Sequence, residues 1–297
     1  MELRQLKKQL KKQLKQELKQ QEIKTKKSSS KRWIFYLLVV LLLTASLFPV
    51  YRKQQLNASQ QLFAKGIKLE SLGQIVAAEE SYRQLYQQYP QAEEAAEALL
   101  RIAKLWQHDH QDEQMALLNY LQLEHDYPES PLVLPAREEA AQIVKYTLRD
   151  YSRAIELYQR LLDLNQGTPE QYYYEIADCY FRLENYPQAR IELETLLENF
   201  PHSPLAAKVL YRKGGILLLE GRVDDARQDW QSLIEQYPDS SYQVQARFDL
   251  AKLQEEEGSL EAALQSYQQL EGFSHPALLQ KKIDHLEQRI KAKKGAI

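Results

Sequence analysis

The sequence is poor in the residues that build covalent or phosphate-binding sites. It contains one cysteine, nine glycines and two methionines in 297 residues. The single cysteine, Cys179, excludes an internal disulfide and therefore a disulfide-stabilised scaffold. With so few glycines, no Gly-rich phosphate loop occurs. No nucleophile set or acid–base pair is visible either, so we predict no catalytic residues, no metal site, no cofactor and no enzymatic activity.

Charge is distributed unevenly along the chain. Residues 1–32 contain twelve Lys or Arg and three Glu, whereas the remainder contains 27 Lys or Arg and 38 Asp or Glu. The net charge of -2 hides this asymmetry, which indicates different surroundings or partners for the two parts. Because no aromatic residue or recognition motif accompanies the basic segment, we predict no binding of nucleic acid.

An uncharged run, WIFYLLVVLLLTASLFPVY, follows the basic segment at residues 33–51. As a helix it would extend about 28 Å, close to the thickness of the hydrocarbon core of a bilayer. Trp33, Tyr36 and Tyr51 stand where interfacial aromatic residues occur. The run predicts a single-pass transmembrane helix. The basic flank predicts an inner-membrane protein with a cytoplasmic N-terminus, and with Gln54 onward in the periplasm or at the cell exterior.

A cleaved signal peptide is the alternative interpretation of this run. It would need a basic region of 32 residues, which is far longer than usual, and Thr44-Ala45-Ser46 only weakly matches a cleavage site. No cysteine lies near the run, which excludes a lipid-modified anchor. We therefore expect a permanent signal anchor.

The basic tail carries leucines at helical spacing. Leu6, Leu10, Leu14 and Leu18 recur every four residues. An amphipathic helix on the anionic cytoplasmic leaflet, a short coiled coil, and a solvated tail that only sets topology would each account for this pattern. We expect Ser28–Arg32 to break the tail helix from the membrane span.

One three-residue set recurs six times beyond residue 57. Each set has an alanine, an aromatic residue four positions later and a leucine three positions after that. The alanines are 38, 38, 35, 37 and 37 residues apart. This spacing places all three side chains on one helix face, which predicts that they are buried. The sets, in which only Leu193 departs from an aromatic residue, are Ala78/Tyr82/Leu85, Ala116/Tyr120/Leu123, Ala154/Tyr158/Leu161, Ala189/Leu193/Leu196, Ala226/Trp230/Leu233 and Ala263/Tyr267/Leu270.

Small residues precede each set, and prolines follow four of them. We expect each small residue to face its downstream alanine, because two helices approach closely where both side chains are small. The small residues are Gly66, Ala103, Ala141, Ala177, Gly214 and Ala251. A proline five residues after the leucine predicts the end of a helix, and it occurs at Pro90, Pro128, Pro201 and Pro238.

These repeats resemble the tetratricopeptide repeat family, with Ala-x3-Tyr and the terminal proline as the matching positions over about residues 57–275. The resemblance implies an all-α fold, a right-handed solenoid of about six stacked helix pairs. The YPxS ending is similar to that of bacterial envelope proteins such as the Tol–Pal-linked cell-division coordinator and the barrel-assembly lipoprotein, from which this chain departs by its expected uncleaved anchor and its lack of a lipid-modifiable cysteine. The layout of tail, span and exported repeats is similar to that of the ancillary repeat protein of the Sec translocon.

We therefore predict four regions along the chain. They are a cytoplasmic tail at 1–32, a transmembrane helix at 33–51, six repeats within 52–276, and a C-terminal capping helix at 277–297. The repeats are expected at about 57–92, 93–131, 132–168, 169–204, 205–241 and 242–276. An apolar stripe would attach the capping helix to the stack, and it consists of Leu279, Ile283, Leu286 and Ile290.

The first helix of each pair lines the inner surface of such a solenoid, so its inward positions form the candidate site. The alternative is that the aromatic residues there pack between neighbouring first helices and contact no partner. Some family members grip carboxylates with a clamp of Lys, Asn and Arg, which is missing here because Phe63 and Ile67 occupy its positions. We predict a peptide-binding groove made of Phe63, Tyr174, Phe181, Lys208, Tyr211, Leu218, Phe248 and Lys252.

The expected function is that of a membrane-anchored scaffold or adaptor. Its exported domain would bind a protein or peptide partner during assembly of a bacterial envelope complex. The alternative is a chaperone-like holdase that meets newly exported chains beside the Sec translocon.

Overall fold

A computed structural model describes the backbone of residues 2–295. Side chains are described from residue 51 to residue 294, and before residue 51 only at 7, 8, 11–21, 36, 37, 41, 42 and 46. Within residues 2–295 every regular element is helical and no strand occurs. This confirms the predicted all-α class.

The helices follow one another with short connections, and the chain divides into two compact units, Met1–Ala98 and Leu99–Ile297. The helices are α1 (Glu2–Ser71), α2 (Ile75–Gln88), α3 (Ala95–His108), α4 (Glu113–Asp126), α5 (Val133–Gln142), a π-helical turn (Ile143–Thr147), α6 (Tyr151–Asp163), α7 (Pro169–Arg182), α8 (Tyr186–Asn199), α9 (Ala206–Leu219), α10 (Val223–Gln236), α11 (Ser241–Glu256), α12 (Leu260–Gln268) and α13 (Pro276–Gly295).

Helix α1 is continuous over 70 residues. The predicted break at Ser28–Arg32 is therefore wrong, because the backbone stays helical through that segment. Serine costs a helix only about 0.5 kcal/mol relative to alanine, and the segment contains neither glycine nor proline to interrupt the hydrogen bonds. The tail and the predicted span belong to one helix.

The predicted membrane span at 33–51 lies largely outside the residues whose side chains are described. Those of 33–35, 38–40, 43–45 and 47–50 are not among them. In the part of the chain that is described, no helix is both long enough and apolar enough to cross a membrane.

The six sets of alanine, aromatic residue and leucine form the core on the second helix of each pair. All of their side chains are buried, and most of them have no exposed surface. Tyr82, Tyr120, Trp230 and Tyr267 are among the largest fully buried side chains. The prediction that each set lies on the buried face of a second helix is confirmed, except that buried Leu270 lies two residues beyond the end of α12.

The aromatic–proline pairs end the second helices, as predicted. Helices α2, α4, α8 and α10 stop two residues before Pro90, Pro128, Pro201 and Pro238. The aromatic residue between helix and proline leaves the helical conformation, with φ near -130° at Tyr89. Its N–H still donates to the carbonyl oxygen of Leu85 at 2.8 Å, so each aromatic residue caps the helix that the proline terminates.

Two glycines of the first helices, Gly66 and Gly214, lie closest to aromatic rings of the second helices. A β-carbon built on Gly66 would lie 2.4 Å from the ring of Tyr82, and one on Gly214 would lie 2.3 Å from Nε1 of Trp230. The predicted pairing of these glycines with Ala78 and Ala226 stays a prediction. A ring four residues further along the second helix projects back over the preceding turn and occupies the space that glycine leaves.

Helix α13 packs against α11 and α12 through its apolar stripe. Leu286 is fully buried, and Leu279, Ile283 and Ile290 pack against the same cluster, as predicted for a capping helix. Buried Glu255 of α11 adds ion pairs to the polar side of α13, to Lys282 at 3.1 Å and to Arg289 at 2.6 Å.

Candidate functional site

Seven of the eight predicted groove residues lie in the unit Leu99–Ile297. Phe63 lies on α1 in the other unit, where its ring is 5.8 Å from that of Tyr82. It packs against the second helix of its own pair, whereas the packing alternative expects such a ring between neighbouring first helices.

One groove of about 320 Å³ opens between α7, α9, α10 and α11. We call it the Tyr211 groove. It brings together three of the predicted residues, Phe181, Tyr211 and Leu218, although they come from two different helix pairs. The groove is lined by Phe181, Tyr211, Arg212, Gly215, Ile216, Leu218, Leu219, Trp230 and Asp249.

Tyr211 is held in one orientation by contacts with three residues of α10 and α11. Its ring stacks on Trp230, with 6.2 Å between centroids and 26° between planes, and lies 5.8 Å from the ring of Tyr242. Its hydroxyl donates to Oδ2 of Asp249 at 2.8 Å. Trp230 in turn donates from Nε1 to the carbonyl oxygen of Tyr211 at 3.0 Å. The aromatic wall of the groove is therefore fixed before any ligand arrives.

Two charged side chains line the Tyr211 groove, and their surroundings differ. Arg212 forms an ion pair with Asp178 and lies 4.7 Å from the centroid of the Phe181 ring, so its charge is already neutralised. Asp249 is half-buried and accepts the hydroxyl hydrogen of Tyr211. Burial raises the pKa of Asp249, and the bond from Tyr211 and the charge of Lys252 offset only part of that effect.

Tyr174 and Lys208 lie outside the lining of the groove and contact each other. Tyr174 is only 8% exposed, and the ammonium of Lys208 lies 3.9 Å from its ring centroid. For Tyr174 the packing alternative describes the structure better than a ligand contact does, because little of the ring remains open.

Phe248 and Lys252 also lie outside this groove. The ring of Phe248 stacks on Phe273 with centroids 4.4 Å apart and an interplanar angle of 8°, and it contacts Tyr267 at 5.2 Å. Lys252 is exposed and lies 3.6 Å from the carboxylate of Glu256. Of the predicted residues, Phe181, Tyr211 and Leu218 line one groove, and the others lie outside it.

A buried cluster of charged residues lies next to the Tyr211 groove. Lys145, in the π-helical turn, is 2% exposed and pairs with Glu175 and, at 2.8 Å, with Asp178 of α7. Asp178 also pairs with Arg212, and at 3.5 Å with Arg182. The spacing of residues in the sequence did not reveal that one lysine and two carboxylates meet here.

The cluster shifts the ionisation of its members. Burial alone would raise the pKa of Asp178, but the hydrogen bond from Lys145 and the charge of Arg212 lower it further than burial raises it. Asp178 therefore stays ionised and holds Arg212 over Phe181. The charged cluster positions one wall of the Tyr211 groove.

The described residues offer little for catalysis. No group of three His, Cys, Asp or Glu among them could hold a metal ion. Cys179 is buried, and burial raises the pKa of its thiol to about 12, which leaves it protonated and a poor nucleophile at neutral pH.

Comparison with sequence families identifies the type of repeat. A family model described as tetratricopeptide repeat matches residues 143–204 and 181–241. These two overlapping segments run from the π-helical turn to the first residue of α11 and include most of the lining of the Tyr211 groove. No curated protein matches the sequence.

Comparison with solved structures identifies helical repeat proteins at low identity. The structure of Naa15/Naa10 bound to HypK-THB is 15% identical, with a TM-score of 0.57, and the match covers 84% of this chain and 36% of that one. A tetratricopeptide repeat protein from Parabacteroides merdae ATCC 43184 is 17% identical, with a TM-score of 0.48 and coverage of 78% and 99%. YrrB, a tetratricopeptide repeat protein with an unusual peptide-binding site, is 18% identical, with a TM-score of 0.47 and coverage of 69% and 99%. The helices within residues 143–241 match the tetratricopeptide repeat model.

Proposed function

We propose that the chain is a protein-interaction scaffold and that a peptide segment of its partner binds in the Tyr211 groove. The observation that carries this proposal is the fixed aromatic wall, in which Tyr211 is stacked on Trp230 and hydrogen-bonded to Asp249. A rigid aromatic surface binds apolar side chains at little cost in conformational entropy. The groove acts by binding and not by catalysis.

The groove offers both apolar area and a few oriented polar groups. Leu218 and Leu219 extend the aromatic wall along α9, and Leu219 is 55% exposed. Arg212 and Asp249 contribute charged groups at the same groove. This combination is typical of sites that bind a peptide by a buried apolar anchor and a small number of hydrogen bonds.

We further propose that residues 33–51 anchor the chain in the inner membrane, with residues 1–32 in the cytoplasm and the repeats exported. The support is the uncharged run itself and the excess of Lys and Arg before it. Held at the membrane surface, the repeats would serve assembly of an envelope complex, similar to the envelope proteins whose repeats end in YPxS. A holdase for newly exported chains would use the same groove with many clients.

The groove is tested by filling it. Gly215 lines the groove, and a β-carbon added there meets nothing within 4 Å, so Gly215→Leu should obstruct the site without disturbing the fold. A photo-crosslinking residue at Leu219 would then capture the partner in the parent chain and lose it in Gly215→Leu. Ala262→Leu, which adds the same side chain at an exposed position of α12, is the matched control and should keep the crosslink.

The products of crosslinking also separate the two functions. One product of constant mass indicates a scaffold with a defined partner, whereas a broad set of products indicates a holdase. Equal crosslinking in the parent chain and in Gly215→Leu would show that the partner does not enter the groove.

A further inference from the structure

We infer that the Tyr211 groove selects a partner segment in which a lysine or arginine lies beside a large apolar side chain, with Asp249 as the counter-ion. This inference rests on the proposed function and specifies the chemistry of its ligand.

Of the two charged residues that line the groove, Asp249 is the one without an ion-pair partner among the described residues. Its carboxylate forms no ion pair with any residue that the structure describes, and its one hydrogen bond comes from the Tyr211 hydroxyl, which is neutral at pH 7. Lys252, one turn away on α11, has its ammonium 3.6 Å from Glu256. The hydroxyl of Tyr267 carries no charge at neutral pH either.

Arg212 is the other charged residue of the groove lining, and its positive charge is already balanced within the protein. Its guanidinium pairs with Asp178 and lies over the ring of Phe181. An acidic ligand group would have to compete with Asp178 for Arg212, whereas a basic ligand group meets an unpaired carboxylate. The groove therefore favours a cation over an anion.

The residues around Asp249 can pack against the methylene groups of a lysine or arginine side chain. The bond from Tyr211 occupies Oδ2 of the carboxylate, and Oδ1 remains able to accept from an ammonium or guanidinium. Tyr211 lines the same groove, and its ring can cover the methylene groups of the basic side chain and attract its cation. Ile216, Leu218 and Leu219 would cover the neighbouring apolar side chain.

The test uses three pools of random dodecapeptides and the full-length chain purified in detergent. Each pool has leucine or phenylalanine at one central position and, next to it, arginine, glutamine or glutamate. We expect the parent chain to retain the arginine pool about threefold to tenfold more than the glutamine pool. Asp249→Asn should abolish that preference, and Asp249→Lys should shift it to the glutamate pool.

The outcomes separate this inference from the proposed function. A preference for arginine that survives in Asp249→Asn would come from the negative charge of the repeats as a whole and would overturn the inference. Equal retention of the three pools, or a preference for the glutamate pool, would also overturn the inference, provided that Gly215→Leu still abolished retention. Retention that Gly215→Leu leaves unchanged, or no retention of any pool, would overturn the proposed groove as well.

Discussion

Gly214 lies directly against the indole of Trp230, so that a β-carbon on Gly214 would stand 2.3 Å from Nε1. Trp230 is 2% exposed and also forms one wall of the Tyr211 groove. The contact between the two helices and the shape of the groove therefore depend on the same missing methyl group.

Gly214→Ala is expected to destabilise the repeats by about 1–3 kcal/mol, because the methyl group forces the buried indole to move. Gly215→Ala is the matched control. Its β-carbon meets nothing within 4 Å, and replacing a helical glycine by alanine adds up to about 1 kcal/mol of stability. Urea denaturation monitored by circular dichroism measures both variants. Equal midpoints for the two would contradict the close contact.

Lys145→Met is expected to cost about 3–5 kcal/mol, because it leaves the buried carboxylate of Glu175 without its cation and leaves Asp178 with only Arg212 and Arg182. The control is Lys208→Met, which removes a half-buried lysine that lies over the Tyr174 ring and should cost about 1 kcal/mol. Guanidinium denaturation compares the two. A loss in Lys145→Met no larger than in Lys208→Met would show that the buried cluster does not stabilise the fold.

The two groove-side carboxylates predict opposite effects of pH on stability. The pKa of Asp249 is raised in the folded state, so its ionised form opposes folding at neutral pH, and this cost disappears as the pH falls below about 4. Asp249→Asn should therefore raise the melting temperature slightly at pH 7, with no such gain in acid. The half-buried carboxylate limits the gain to about 1 kcal/mol or less.

Asp178 should behave in the opposite way. Its pKa is lowered in the folded state by Lys145 and Arg212 against the effect of burial, so its ionised form supports folding at neutral pH. That support is lost as the pH falls below about 4 and through the folded-state pKa. Asp178→Asn should lower the melting temperature at pH 7 and have less effect in acid. Parallel pH profiles for Asp178→Asn and Asp249→Asn would refute the assignment.

The proposed anchor predicts a change in membrane extraction. Leu41→Arg combined with Leu42→Arg places two charges near the centre of the run, at about 3 kcal/mol or more for each residue. Alkaline carbonate should then release the variant from membranes while the parent chain stays in the pellet. Leu118→Arg, at a leucine that is 55% exposed on α4, should not be released. Release of the parent chain itself would exclude a transmembrane anchor.

Much of the helical pattern could be predicted from the sequence because its causes are local. The spacing of Ala226, Trp230 and Leu233 places them on one helix face, and Pro238 prevents that helix from continuing. Both effects act within one or two helical turns and do not depend on how the pairs are arranged. The same reasoning found Phe181, Tyr211 and Leu218 as candidates but could not separate them from Tyr174 or Phe248.

Only the tertiary structure decided which candidates form a site. Lys145 is 33 residues from Asp178, and Asp178 is 34 residues from Arg212, so no periodicity within one helix brings their charges together. Likewise Asp249 reaches Tyr211 from the next helix pair, 38 residues away. The sequence by itself determined the helices, their ends and their buried faces, because those depend on near neighbours. The packing of successive pairs decided where a charge stays unpaired and where an aromatic wall stays open, because those depend on contacts between pairs.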